Sequence, residues 1–106
     1  MDKKKILLVD DEEDFCFFVK LNLERTGKYQ VFTATKGMEG ISLAKQLKPD
    51  LIFLDIAMPK MDGGRVAEIL LEDESTKTIP FVFVTAVIKK DDLAKREGKF
   101  DGRDFI

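Results

Sequence analysis

Apolar positions along this chain alternate between two patterns. Short continuous runs occupy 6–9 (Ile6, Leu7, Leu8, Val9), 51–54 (Leu51, Ile52, Phe53, Leu54) and 81–84 (Phe81, Val82, Phe83, Val84). Unbroken runs of that length suit strands covered on both faces, as in a parallel sheet. A further strand is expected over 29–33. Between these runs the spacing is helical. Phe15, Phe18, Val19 and Leu23 share a face over 15–23, with Gly27 as the expected stop. Ile41 and Ala44, with Leu43 and Leu47, mark a helix over 38–47 that ends at Pro49. Val66, Ile69 and Leu70 mark another after Gly63 and Gly64, closed by the polar stretch 73–76. A weak, highly charged helix is expected over 90–97, with Leu93 and Ala94 as its main apolar content. A fifth strand opens at 103–106.

Strand and helix in alternation predict an α/β fold, a doubly wound parallel sheet with right-handed crossovers. The 106 residues fit one domain spanning 1–106. A parallel sheet needs helices on both faces. No helix is expected after the last strand, so one face should be only partly covered, beside the aromatic first helix. Further chain beyond Ile106 or a partner would then cover it.

Composition narrows the function classes. A hydrophobic share of 44% supports a globular core, and a net charge of −2 provides no field for nucleic acid or a membrane surface. Cys16 is the single cysteine, so no disulfide framework is possible and a reducing cytoplasm is the expected compartment. Its expected role is a packed thiol. The lysine-rich start leads into only a short apolar run, so neither a signal peptide nor a membrane span is expected. The absence of histidine removes His-based metal sites and catalytic triads, and the chain cannot itself carry phosphohistidine.

The polar residues with chemical promise stand where strands end. Asp10 and Asp11 follow the run 6–9, Asp55 follows 51–54, and Thr85 follows 81–84. Each has an ordinary reading. Asp55 suits a turn or a helix cap, Asp10 and Asp11 suit a helix N-terminus, and Thr85 suits a strand end. The readings weaken jointly, because the carboxyl ends of such strands share one edge, where open α/β sheets hold ligands. Carboxylates brought together there repel unless a cation joins them. Mg²⁺ takes oxygen ligands and binds through one or two carboxylates plus phosphate. An ionised carboxylate can act as a nucleophile. The expectation is a Mg²⁺ site built on Asp55 and Asp11, with Asp55 as phosphoryl acceptor and Thr85 as a hydroxyl donor to a phosphoryl oxygen.

Three segments then resemble one family. Val9-Asp10-Asp11-Glu12, the stretch Leu54-Asp55-Ile56-Ala57-Met58-Pro59-Lys60-Met61-Asp62-Gly63 and Val84-Thr85-Ala86 are similar to the response-regulator receiver domain of two-component signalling. The middle segment is the most specific. The resemblance covers essentially the whole chain and implies a flavodoxin-like sheet of five parallel strands in the order 2-1-3-4-5. It implies Asp55 as the phosphorylated residue, Asp11 as a direct Mg²⁺ ligand, Asp10 as a ligand through water, and the Ala57 backbone carbonyl as a further ligand. Thr85 becomes the switch hydroxyl. Phe105 matches the aromatic of the last strand that changes rotamer with it, although a plain core aromatic fits that position equally well. The implied partners are a sensor histidine kinase or a histidine phosphotransfer protein, and an output domain or protein that the sequence does not identify.

The sequence departs from the family in one respect. Receivers carry an active-site lysine shortly after the last strand, and alignment on Phe105 places it just beyond Ile106. The last helix is missing as well. The expectation is a chain that continues. Two other readings compete. A receiver-like interaction scaffold that does not use phosphate fits the missing lysine, but has no need for repelling carboxylates. A hydrolase or nucleotide binder on a similar fold lacks a Walker sequence or a G-x-G-x-x-G. It also lacks a second acid two residues after the nucleophile, where Ala57 stands.

Overall fold

A computed structural model describes residues 3–58 and 61–84. They form β1 (Lys4–Val9), α1 (Glu13–Glu24), β2 (Tyr29–Ala34), α2 (Gly37–Leu47), β3 (Leu51–Asp55), α3 (Gly63–Glu72) and β4 (Phe81–Val84). The strands make one sheet in the order β2-β1-β3-β4, and every pairing is parallel. That matches the expected order over its first four members. The weak helix at 90–97, the fifth strand at 103–106, Thr85 and Phe105 lie outside the described residues.

Strand pairing extends several elements past their apolar runs. β1 starts at Lys4 because Lys4 and Lys5 stand level with Tyr29 and Gln30 of β2. Entry to β3 is fixed by a reciprocal pair. Lys5 N–H donates to Asp50 Oδ2 at 2.8 Å, and Asp50 N–H donates to the Lys5 carbonyl at 2.8 Å. β3 runs on to Asp55, which stands level with Val84. Backbone hydrogen bonds, rather than side-chain polarity, set these limits.

Helix ends follow local chemistry. α1 closes at Arg25, and Gly27, at φ +78°, donates its N–H to the Glu24 carbonyl at 3.0 Å. α2 closes at Lys48, which takes the left-handed conformation (φ 51°) just before Pro49. α3 is capped by Asp62, whose carboxylate accepts from Arg65 N–H at 3.0 Å. Thr76, fully buried, donates its hydroxyl to the Leu70 carbonyl at 2.7 Å and ties the exit of α3 to the helix.

The main core lies between the sheet and α2 with α3. Leu7, Val9, Ala34, Ile52 and Leu54 of the sheet pack there with Ile41, Ala44, Val66, Ala67 and Leu70. Gly40 brings α2 close to β1, since a Cβ there would stand 2.7 Å from Val9 Cγ2. On the opposite face α1 covers Ile6, Leu8 and Val31 through Cys16 and its neighbours. Among the described residues that face is only partly covered. An apolar groove of about 230 Å³ runs beside α1, lined by Leu8, Phe15, Phe18, Val19, Phe53 and Val84 among others. Phe18, expected among the buried positions of the first helix, is 56% exposed at the rim of this groove. Helical spacing places it on the inward face, but no described residue lies over it.

Candidate functional site

The sheet register assembles the site. Val9 stands level with Leu54, and Asp55 with Val84, so the residues that leave β1, β3 and β4 share one edge. Asp10 and Asp11 leave β1 there, and Asp55 is the last residue of β3. One carboxylate oxygen from each of Asp10, Asp11 and Asp55 can be chosen so that all lie within 4.8 Å of one another. Asp10 and Asp55 have 0% exposure, while Asp11 faces solvent. The three acids expected to converge therefore do converge.

The local turns also do what the ordinary readings describe. Asp10 Oδ1 accepts from Glu12 N–H at 2.9 Å, and Asp55 Oδ1 accepts from Ala57 N–H at 3.1 Å. Each carboxylate thus spends one oxygen on the backbone two residues ahead, as in an Asx turn. These bonds help to fix both rotamers. The turns do not take either carboxylate out of the acidic cluster.

The backbone around the acids is held from several sides. Asp10 N–H donates to the Ala34 carbonyl at 2.9 Å, and Ile56 N–H donates to the Val84 carbonyl at 2.9 Å. The buried Cys16 thiol donates to the Asp10 carbonyl at 3.4 Å, which gives the packed thiol a definite partner. Gly63 opens α3 directly against β3. A Cβ there would collide with the Asp55 carbonyl oxygen and stand 2.9 Å from its carbonyl carbon. The sequence marks Gly63 as a helix start and as part of the acidic motif, but not as a neighbour of the Asp55 carbonyl. The signal was available in the Asp62-Gly63 pair that opens the helix.

The donor set suits a hard cation. Two ionised carboxylates with oxygens within 4.8 Å of each other repel by on the order of 3 kcal/mol at an effective dielectric of ~20. A divalent cation removes that repulsion, and an all-oxygen cluster with no imidazole favours Mg²⁺ over Zn²⁺. Asp11 is the exposed member of the three acids. The Ala57 N–H is committed to Asp55, and Ala57 itself is exposed.

Comparisons with known proteins agree with this geometry. The family model for the response regulator receiver domain matches residues 6–106. The DNA-binding dual master transcriptional regulator RpaA of Synechocystis is 45% identical over 83 residues, which cover 78% of this chain and 34% of RpaA. The chain thus spans about a third of that relative's length. Protein PilH of Pseudomonas aeruginosa is 37% identical over 103 residues, covering 96% of this chain and 83% of PilH. In three dimensions, the N-terminal domain of a response regulator receiver protein from Methanoculleus marisnigri superposes with a TM-score of 0.74 at 38% identity. That match covers 77% of this chain and 66% of the other. Fold, acidic edge and relatives lead to one conclusion: this chain belongs to the response-regulator receiver domain family, the phosphorylation-dependent switches of two-component signalling.

Proposed function

We propose that Asp55 accepts a phosphoryl group from a phosphohistidine of a sensor histidine kinase or a histidine phosphotransfer protein. The observation that carries this is the convergence of Asp10, Asp11 and Asp55 on one sheet edge with two of the three fully buried. Asp55 and Asp11 would hold Mg²⁺ directly, Asp10 through water, and the Ala57 carbonyl would complete the protein ligands. When bound, Mg²⁺ neutralises charge between the carboxylate and the incoming phosphoryl group.

The chain's own residues do the rest. An Asp55 carboxylate oxygen forms a bond to phosphorus as the bond from phosphorus to the donor imidazole nitrogen breaks, and the imidazole leaves with its electron pair. The Ala57 N–H on Oδ1 helps to hold the carboxylate rotamer. Catalysis of this kind is mainly positioning. Thr85, one residue beyond the end of β4, supplies the hydroxyl that moves to the phosphoryl oxygen, and Phe105 follows it as the switch aromatic. The added charge shifts a pre-existing equilibrium between two conformations.

Receiver domains are signalling switches that work with histidine kinases and output domains. In our reading this chain is one receiver domain over 1–106 that assists its own modification without releasing a product. It works in the cytoplasm and contacts neither nucleic acid nor membrane itself. Burial of two carboxylates favours this reading over a scaffold that ignores phosphate, since a scaffold gains nothing from that repulsion. The test is intact mass before and after incubation with Mg²⁺ and acetyl phosphate. Gain of one phosphoryl group, lost in Asp55→Asn, is the expected result. Retained labelling in that variant would move the acceptor elsewhere.

A further inference from the structure

β2 is the outer strand of the described sheet, paired only with β1. The Lys28 and Ala34 carbonyls accept from Lys4 N–H at 3.1 Å and Asp10 N–H at 2.9 Å. Even-numbered residues of β2 therefore turn their backbone groups towards β1. Alternation turns those of Tyr29, Val31 and Thr33 away from it. A row of outward N–H and C=O groups is a template for another strand.

Val31 sits at the middle of that row, and its two backbone groups are both taken. Its N–H donates to Glu24 Oε2 at 3.0 Å, and its carbonyl accepts from Lys20 Nζ at 2.8 Å. Lys20 and Glu24 are also joined to each other at 3.1 Å. One donor and one acceptor thus meet one residue, which is what an opposing residue of an antiparallel strand provides. Both side chains come from α1, which packs over this edge.

Helix energetics alone do not account for the pair. Glu24 lies at the C-terminal end of α1, where the helix dipole disfavours an acid, and no basic residue stands in that last turn. Lysine before glutamate at i,i+4 is the weaker of the two orders. The Val31 N–H, and after it Lys20, hold the Glu24 carboxyl below the usual carboxylate range. Its stabilising partners are on the sheet edge.

We propose that Lys20 and Glu24 form an edge guard: they occupy Val31 and close β2 to the β2 strand of a second copy of this chain. Without them, two copies would pair β2 to β2 in antiparallel register about a twofold axis.

The test is Lys20→Ala combined with Glu24→Ala. Both side chains are more than a third exposed, so the fold should persist by circular dichroism. Two readouts are compared with the parent, Val31 amide exchange by NMR and oligomeric state by sedimentation velocity, from ~10 µM to ~1 mM. At low concentration the Val31 amide should exchange at least about tenfold faster. As concentration rises the variant should associate, with the Val31 amide protected again. Glu24→Gln, which keeps an acceptor oxygen, should behave as the parent. If the double variant loses its fold, Lys20→Met uncovers the Val31 carbonyl alone and should show the same association to a smaller degree. A variant that keeps the parent's assembly state throughout would overturn the proposal. So would an unchanged Val31 exchange rate, or association that leaves the Val31 amide unprotected.

Discussion

Asp10 and Asp55 stand side by side at the ends of β1 and β3, both fully buried, each with one oxygen bonded to the backbone N–H two residues ahead. With Asp11 they form the cluster that would hold the proposed cation. This cluster sets the first expectation. Mg²⁺ should raise thermal stability, by about 2.7 kcal/mol at a concentration ~100 times its Kd. In Asp55→Asn, which keeps shape but loses one charge, this response should largely vanish while the fold remains. Differential scanning calorimetry with Mg²⁺ and with chelator checks it. An undiminished response would place the cation elsewhere.

Asp11 differs because it is exposed. Asp11→Asn should leave stability in chelator within about 0.5 kcal/mol of the parent, as for most surface changes. Mg²⁺ affinity should fall by roughly tenfold or more, since one of few carboxylate ligands is neutralised. A Mg²⁺ titration followed by NMR reads both effects, and an unaltered affinity would remove Asp11 from the ligand set.

Gly63→Ala tests how tightly the acceptor loop is held. The added methyl meets the Asp55 carbonyl, which is backbone and cannot turn aside. Overpacking of this kind costs about 1–3 kcal/mol. Urea denaturation should show that loss, and phosphorylation by acetyl phosphate should slow because Asp55 is displaced. Normal stability with normal labelling would mean that α3 shifts freely away from β3.

Acid stability should carry a signature from Asp73. Its carboxylate accepts from the Ser75 hydroxyl at 2.6 Å and the Ser75 N–H at 2.8 Å, and pairs with Lys45 of α2 at 3.3 Å. Ser75 first, then Lys45, lower its pKa from the usual 3.8 to about 2. A depressed folded-state pKa gives stability that is present above the unfolded value and lost as pH falls through the folded value. The contribution from Asp73 should therefore disappear between about pH 4 and pH 2. A carboxyl NMR titration should find Asp73 protonating at about 2, below the usual 3.8. Titration at an ordinary value would show that the Ser75 turn does not persist in solution.

Thr76→Val removes the hydroxyl that bonds the Leu70 carbonyl at the end of α3. The site is fully buried, so the carbonyl is left without that donor. A cost of about 1–3 kcal/mol is expected in thermal or chemical denaturation, with Mg²⁺ binding unchanged. A neutral effect would mean that the carbonyl finds another donor.

Much of this protein is legible in its sequence. Unbroken apolar runs located three strands, a fourth was expected over 29–33, and helical spacing located three helices to within a few residues. Acids at strand ends located the site, because an alternating β-α chain puts all such ends on one edge. What escaped reading was whatever depends on a second element. Phe18 has the spacing of a buried residue, but nothing described covers it. Lys4, Lys5 and Asp55 are polar and still belong to strands, because neighbours in the sheet bond their backbone groups.

The sequence by itself determined the order of elements, the class of fold, the all-oxygen character of the acidic cluster and the family. Those follow from local periodicity and from residue types at fixed positions, which a linear chain already contains. Only the tertiary structure decided that Asp10 and Asp55 are buried while Asp11 is not, that Gly63 abuts the Asp55 carbonyl, and that Lys20 and Glu24 seal Val31. Such relations join residues that the sheet register and helix packing bring together, and no spacing along the chain encodes a distance across it.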